Sequence, residues 1–202
     1  MATRFYDPWK GENYENHKAS ASKLLILGES HYGKDAERGD ATITLTKQYV
    51  SGKMNHRFWT NTMNVVRGHT GSTEKDREAF WHQVAFYNYV QASAGAKPRV
   101  APNDQLFKNS EDAFFSTLDE LKPQAILVLS KRLWLKLPGT GPKSRAGEPL
   151  EADGETRESW IYNYDGGRAL ATPINHPSSG FSWPRWHKWV VALKKAAAEL
   201  SG

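Results

Sequence analysis

The residues best suited to chemistry in this chain fall in three short segments. Gly28-Glu29-Ser30-His31-Tyr32 sets a carboxylate, a hydroxyl, an imidazole and a phenol side by side. Asn88 puts a carboxamide inside the apolar and aromatic run VAFYNYV. Asn175-His176-Pro177-Ser178 supplies a second imidazole next to a second hydroxyl. Several reactions could use such groups. Ser30 follows an apolar run and partly imitates the G-x-S-x-G turn of acyl hydrolases, with His176 late in the chain after acids such as Asp153 and Asp165. Two features oppose that reading: Tyr32 stands where the sharp turn wants a small residue, and the strand is the first in sequence. A metal-dependent nuclease would want an H-x-x-x-H or a paired-carboxylate motif at the site; no such spacing supports one here, so no metal site is assigned.

The elements that must position these groups can be read from the pattern of apolar residues. Lys23–Leu27 is a short apolar run that empties into Gly28, as a buried parallel strand does before a functional loop. Residues 1–22 read as a polar arm, and residues 31–55 as loop with a short helix at Thr44–Val50. His56–Arg67 has helical spacing and stops near Gly68, and a linker at Gly71–Asp76 leads to a second strand, Trp81–Val90. After the two-proline loop AGAKPRVAPND, Asp104 or Ser110 caps a helix at Glu111–Leu121 that Pro123 ends. Ala125–Ser130 is a third strand, followed by a short helix to Leu137. Residues 138–157 read as an exposed excursion. Trp160–Tyr164 and Arg168–Ile174 form a hairpin whose second strand runs straight into Asn175 and His176. An amphipathic helix from about Pro184 closes the chain. Strands alternating with helices predict a three-layer α/β/α sandwich around a mostly parallel, four-stranded sheet. Its site should lie at the carboxyl ends of the strands, where all three segments fall.

Composition narrows the function classes. With 202 residues, 39% hydrophobic and 24% charged, the chain is sized for a single soluble domain. No apolar run approaches the length of a membrane span, and the N-terminus has no signal-peptide core, so no membrane partner is expected and a cytoplasmic location is. The absence of cysteine removes thiol nucleophiles, thiolate zinc sites and cysteine-bound iron–sulfur clusters, and no cofactor is assigned. A net charge of +5 suits a polyanionic partner, and the many aromatic rings could stack on bases as well as fill a core.

Four segments in order, LLILGESHY, VAFYNYVQ, LDELKPQAILVLS and TPINHPSSGF, resemble the uracil-DNA glycosylase superfamily over roughly residues 23–181. That resemblance implies a single glycosylase-like domain that acts on DNA, single- or double-stranded, as a monomer. It implies His176 as the donor to the departing base, Asn88 as the reader of a pyrimidine edge, and Tyr32 as a wall that excludes bulkier bases. The Ser178–Trp183 loop would be the wedge, with Phe181 filling the gap left by the flipped base. Gly28, His31, Asn175, Pro177 and Ser178 would complete the binding surface.

The chemistry such a site must perform is consistent with those residue types. Breaking a glycosidic bond makes a cationic sugar and an anionic base, so the site needs a donor at the base oxygen, a partner for its edge and a placed water. The chain departs from the best-known branch at one point: Ser30 stands where that branch carries a water-activating Asp. Glu29 or His31 would then orient the water. Since no lysine lies in Gly28–Tyr32, beside Asn88 or in Asn175–Ser178, a Schiff-base step is not expected. Structural roles compete for the same residues: Glu29 as a salt-bridge partner, His31 as an exposed loop residue, Asn88 as a group bonded only to backbone, His176 as a turn former. Within the same fold the competing function is a nucleic-acid or base-binding protein with little catalysis.

Overall fold

The computed structural model describes residues 4–16, 22–95, 101–178 and 180–201. Among them the elements run β1 (Trp9–Lys10), β2 (Leu24–Gly28), a 3-10 turn (Lys34–Glu37), α1 (Ala41–Val50), α2 (Arg57–Arg67), α3 (Glu74–Trp81), β3 (Ala85–Asn88), α4 (Asp104–Asn109), α5 (Glu111–Leu121), β4 (Ala125–Val128), α6 (Lys131–Trp134), β5 (Ser144–Ala146), β6 (Leu150–Ala152), β7 (Glu155–Arg157), β8 (Trp160–Tyr164), β9 (Gly167–Pro173) and α7 (Trp183–Ser201). The main sheet has the order β1-β3-β2-β4-β9-β8-β5. Its centre, β3-β2-β4-β9, is parallel, and its flanking strands are antiparallel.

The two faces of this sheet explain why β2 and β4 read as unbroken apolar runs. Leu24 and Ile26 point to one side, into a core with Phe86, Leu127, Trp59, Val65, Trp189 and Leu193. Leu25 and Leu27 point to the other, into a core with Tyr87, Ile126, Phe114, Leu118 and Leu121. Alternation along a strand thus feeds two helical layers, and both faces must be apolar. The chain leaves β2 toward α1–α3 on the first face, whereas the connections after β3 and β4 lead to α4–α6 on the second. Neighbouring connections that diverge in this way leave a crevice at the carboxyl ends of the strands, centred on β2.

Several sequence expectations need correction. The sheet has seven strands rather than four: the hairpin arm β8 joins it beside β9, and the edge strands β1 and β5, two and three residues long, leave no readable pattern. Part of the supposed N-terminal arm is one of those edges: β1 pairs with β3, and Tyr6 and Tyr14 are fully buried. The expected strand Trp81–Val90 begins as helix. Thr73 and Asp76 form a reciprocal capping box that starts α3, and strand begins only at Ala85. The helix near Thr44 starts earlier, at Ala41. Before α5 lies a separate short helix, α4, whose cap is Asn103 rather than Asp104, and Ser110 makes no cap bond to α5. Residues 138–157 are not a free excursion: they contain β5 and the β6–β7 hairpin, which packs on α7. There the Arg157 guanidinium lies over Trp189 at 4.5 Å and Trp186 at 4.9 Å. In the two-proline loop, the basic stretch Lys97–Arg99 lies outside the described residues.

Helix α2 stops as expected. Gly68 takes a left-handed conformation at φ 76° and lets the His187 ring approach to within 2.4 Å of where a Cβ would sit. His187 Nδ1 in turn bonds the Val65 carbonyl at 2.8 Å, so α2 and α7 are locked side by side.

Candidate functional site

The carboxyl ends of the four parallel strands bring together groups that are far apart in sequence. β3 ends in Asn88, β2 in Gly28 and Glu29, β4 leads into Ser130 and Arg132, and β9 into Asn175 and His176. Main-chain bonds continue past the strand ends: Tyr89 N to Gly28 O at 3.0 Å, Val90 N to Glu29 O at 2.9 Å and Ala94 N to His31 O at 3.0 Å. The loop after β2 is therefore zipped to the one after β3, which fixes the backbone that carries Glu29, Ser30 and His31.

Gly28 faces Asn88 across the β2–β3 register. A Cβ at Gly28 would lie 2.2 Å from Asn88 Oδ1, so the carboxamide folds over the glycine in space that only a missing side chain provides. Asn88 Nδ2 lies 3.3 Å from His31 Nδ1 and 3.0 Å from His31 Nε2, and His31 Nε2 lies 2.8 Å from Thr42 Oγ1. One tautomer uses each atom once: Nε2–H donates to Thr42 and Nδ1 accepts from Asn88. His31 is buried, not exposed in its loop, and the Tyr6 ring packs edge-on against it at 4.7 Å. Asn88 is bonded to this imidazole rather than to backbone alone.

His176 sits on the opposite side of the crevice. Its ring is exposed and tilted over Phe58 at 5.3 Å, and Phe58 also packs against Phe86 at 6.1 Å. Although the ring is exposed, the protein around it displaces enough solvent to lower its pKa; Glu29 acts in the opposite sense, and Arg132 and His56 add to the lowering. His176 is thus neutral at neutral pH and makes no hydrogen bond to another described side chain. The loop that carries it is held from α2, whose Asn61 donates to the carbonyls of Pro177 at 3.3 Å and Ser178 at 3.4 Å.

Neither family models nor curated proteins give a match to this chain.

Between these two sides lies an ion pair that gives Glu29 the salt-bridge role the sequence also offered, with Arg132 as a partner the sequence does not indicate. The Glu29 carboxylate is gripped by both ends of the Arg132 guanidinium, Nε to Oε2 at 2.8 Å and Nη2 to Oε1. The pair raises the pKa of Arg132, its hydrogen bonds to the Glu29 carboxylate outweighing desolvation. The glutamate side chain is 9% exposed and the arginine 51%. Ser130 caps α6 through its hydroxyl, which accepts from Leu133 N at 2.9 Å, and so sets the turn from which Arg132 reaches back to β2.

The other expected site residues are distributed unevenly. Ser30 is half-buried and bonds to neither histidine, and it is not in the left-handed conformation that a strained nucleophile turn would adopt. The acyl-hydrolase arrangement is therefore not assembled among the described residues. Tyr32 points outward, 44% exposed, so the residue beside Asn88 is His31 instead. Asn175 and Ser178 are exposed at the rim and Pro177 is buried beneath them. Phe181 is half-buried and stacks on Trp186 at 6.3 Å, packed against the protein. Phe58, Asn61 and Arg132 escaped the sequence reading. For Arg132 a signal existed, since it stands just past an apolar strand at the end where sites form. Among the described residues no three His, Asp or Glu side chains group to hold a metal ion.

Burial holds the His31 pKa near 4, against 6.5 for a free imidazole. An unfolded chain takes up this proton as pH falls below about 6.5, and the folded protein resists it until about pH 4. Stability is therefore fully present above that window and is lost as pH falls through it. Between pH 7 and 5 the loss should reach about 2 kcal/mol, before the depressed carboxylates of Glu15 and Asp76 begin to titrate. Urea unfolding at both pH values should show this drop in the wild type and a clearly smaller one in His31→Gln. Equal drops would mean that His31 does not titrate in this way.

Proposed function

We propose that this chain is a monofunctional DNA glycosylase, which hydrolyses the bond between deoxyribose and a flipped uracil or other damaged or modified base. The accompanying fold reading is a uracil-DNA glycosylase-like α/β/α domain, acting as a cytoplasmic monomer. One observation carries the proposal: Asn88, Glu29, Arg132 and His176 stand at the carboxyl ends of four adjacent parallel strands. Phe58 lies against the His176 ring and gives that side of the strand ends an aromatic surface.

In the reaction, the bond from C1′ to the base nitrogen breaks with both electrons leaving on the base. Neutral His176 donates an N–H to the base oxygen as charge builds there. Asn88, oriented by His31, meets the polar edge of the base. A water near Glu29 and Ser30 adds its oxygen to C1′, and its proton passes to the surroundings or to the departed base. Exposed Lys34, Arg57, Lys131 and Arg185 stand in the turns around the crevice and supply cations for phosphate contacts.

The test is base release from single- and double-stranded oligonucleotides that carry uracil, hypoxanthine, xanthine or bulky modified pyrimidines, with Asn88→Ala beside the wild type. Release of one base, lost in Asn88→Ala, is the expected result. No release from any substrate would overturn catalysis. Salt-sensitive DNA binding without release would favour a binding protein, a reading to which the tethered Glu29 and the serine at position 30 already lend weight.

A further inference from the structure

The Glu29–Arg132 pair spans the adjacent ends of β2 and β4, where the connections diverge and a ligand would have to enter. We propose that Arg132 is a positioning residue that exchanges partners: it holds the Glu29 carboxylate in the free protein, and releases it when a nucleic-acid backbone phosphate takes over the guanidinium. This rests on the glycosylase reading only in what the freed carboxylate then does, which is to orient the attacking water.

Three features favour an exchange over a fixed structural pair. The two partners are unequally buried, with the carboxylate 9% exposed and the guanidinium 51%, so the outer edge of the guanidinium is already open to solvent. Because the guanidinium is already in contact with water, taking up a second anion on its open edge adds little desolvation. The guanidinium fork also fits two phosphate oxygens as well as it fits two carboxylate oxygens. Finally, exposed cations occur in the segments that carry the site: Lys131 next to Arg132 in sequence, Arg57 next to Phe58, and Arg185 in the first turn of α7. Among the described residues none of these three is in an ion pair, whereas Arg132 alone is tied to a carboxylate inside the crevice.

The exchange predicts a coupling that ordinary charge repulsion does not. Binding of a fluorescein-labelled oligonucleotide would be measured by anisotropy across salt concentrations for the wild type, Glu29→Gln, Arg132→Ala and the double variant. Arg132→Ala should reduce the slope of log K against log salt by about one. Glu29→Gln frees the guanidinium in advance, so it should tighten binding about twofold to fivefold in the wild-type background. In the Arg132→Ala background it should tighten binding no further. Arg132→Lys should restore the slope but not the full affinity, because a lysine lacks the fork.

If Glu29→Gln tightens binding equally in both backgrounds, the carboxylate merely repels DNA and the exchange is wrong. It is equally wrong if Arg132→Ala leaves the slope unchanged, or if no salt-dependent binding occurs. Inorganic phosphate, run alongside as a competitor at matched ionic strength, should leave the coupling intact; if it abolishes the coupling at millimolar concentration, the site takes free phosphate and the assignment to a nucleic-acid backbone falls. Coupling without base release would leave the exchange standing and remove the glycosylase reading. Base release without coupling would do the reverse.

Discussion

Replacing His176 by Ala is expected to slow base release about 10²–10³-fold while changing the free energy of unfolding by no more than about 1 kcal/mol. The two halves of that expectation come from the same geometry. The imidazole is exposed and makes no hydrogen bond to another described side chain, so folding does not depend on its nitrogens. Among the described residues its ring packs on Phe58 alone, and the loop below it is held instead by Asn61 through main-chain carbonyls. Removing the ring therefore leaves the loop in place and deletes an exposed donor just past the carboxyl end of β9. Single-turnover release, which isolates the chemical step, is the measurement to use, with thermal unfolding as the control. His176→Gln keeps an N–H at nearly the same reach and should recover part of the rate. A loss smaller than about tenfold in His176→Ala would take this side chain out of the chemistry.

How far the sequence could lead is best judged at particular residues. The parallel core was legible because Leu24–Leu27 and Ala125–Val128 are apolar on both faces, a pattern that only a strand covered on two sides requires. That pattern by itself assigns Gly28, Asn88 and His176 to one end of the sheet. The partners of those residues were not legible. Glu29 and Arg132 are 103 positions apart, and no local pattern announces their pairing. His31 looked like a loop residue because its cover comes from elsewhere, from Thr42 on α1 and from Tyr6 in a segment that read as a loose arm. At Trp81 the aromatic run imitated a strand, and the capping box at Thr73 was the stronger local signal. Periodicity reports what an element buries. It does not report what a polar side chain meets once two elements come together.

Gly28→Ala is the second substitution expected to have a large effect, and it acts through Asn88. The new methyl would sit 2.2 Å from Asn88 Oδ1, 3.2 Å from Phe86 Cζ and 3.3 Å from Asn88 Cγ. The backbone cannot retreat, because β2 is paired with β3 on one side and β4 on the other. Asn88 must rotate instead, and in doing so it leaves His31, the residue that sets the direction of its amide. Overpacking of this kind costs about 1–3 kcal/mol, which for a domain of this size lowers Tm by several degrees. Misplacing a reading group by about 1 Å can cost about 100-fold in rate, so base release should fall by at least that much. The cause can be separated from a general loss of stability by adding Asn88→Ala. Truncating the amide removes the clash, so Gly28→Ala should cost much less stability in that background than in the wild type. If it costs the same in both, the glycine serves the strand alone, and the close approach of Asn88 has no part in its choice.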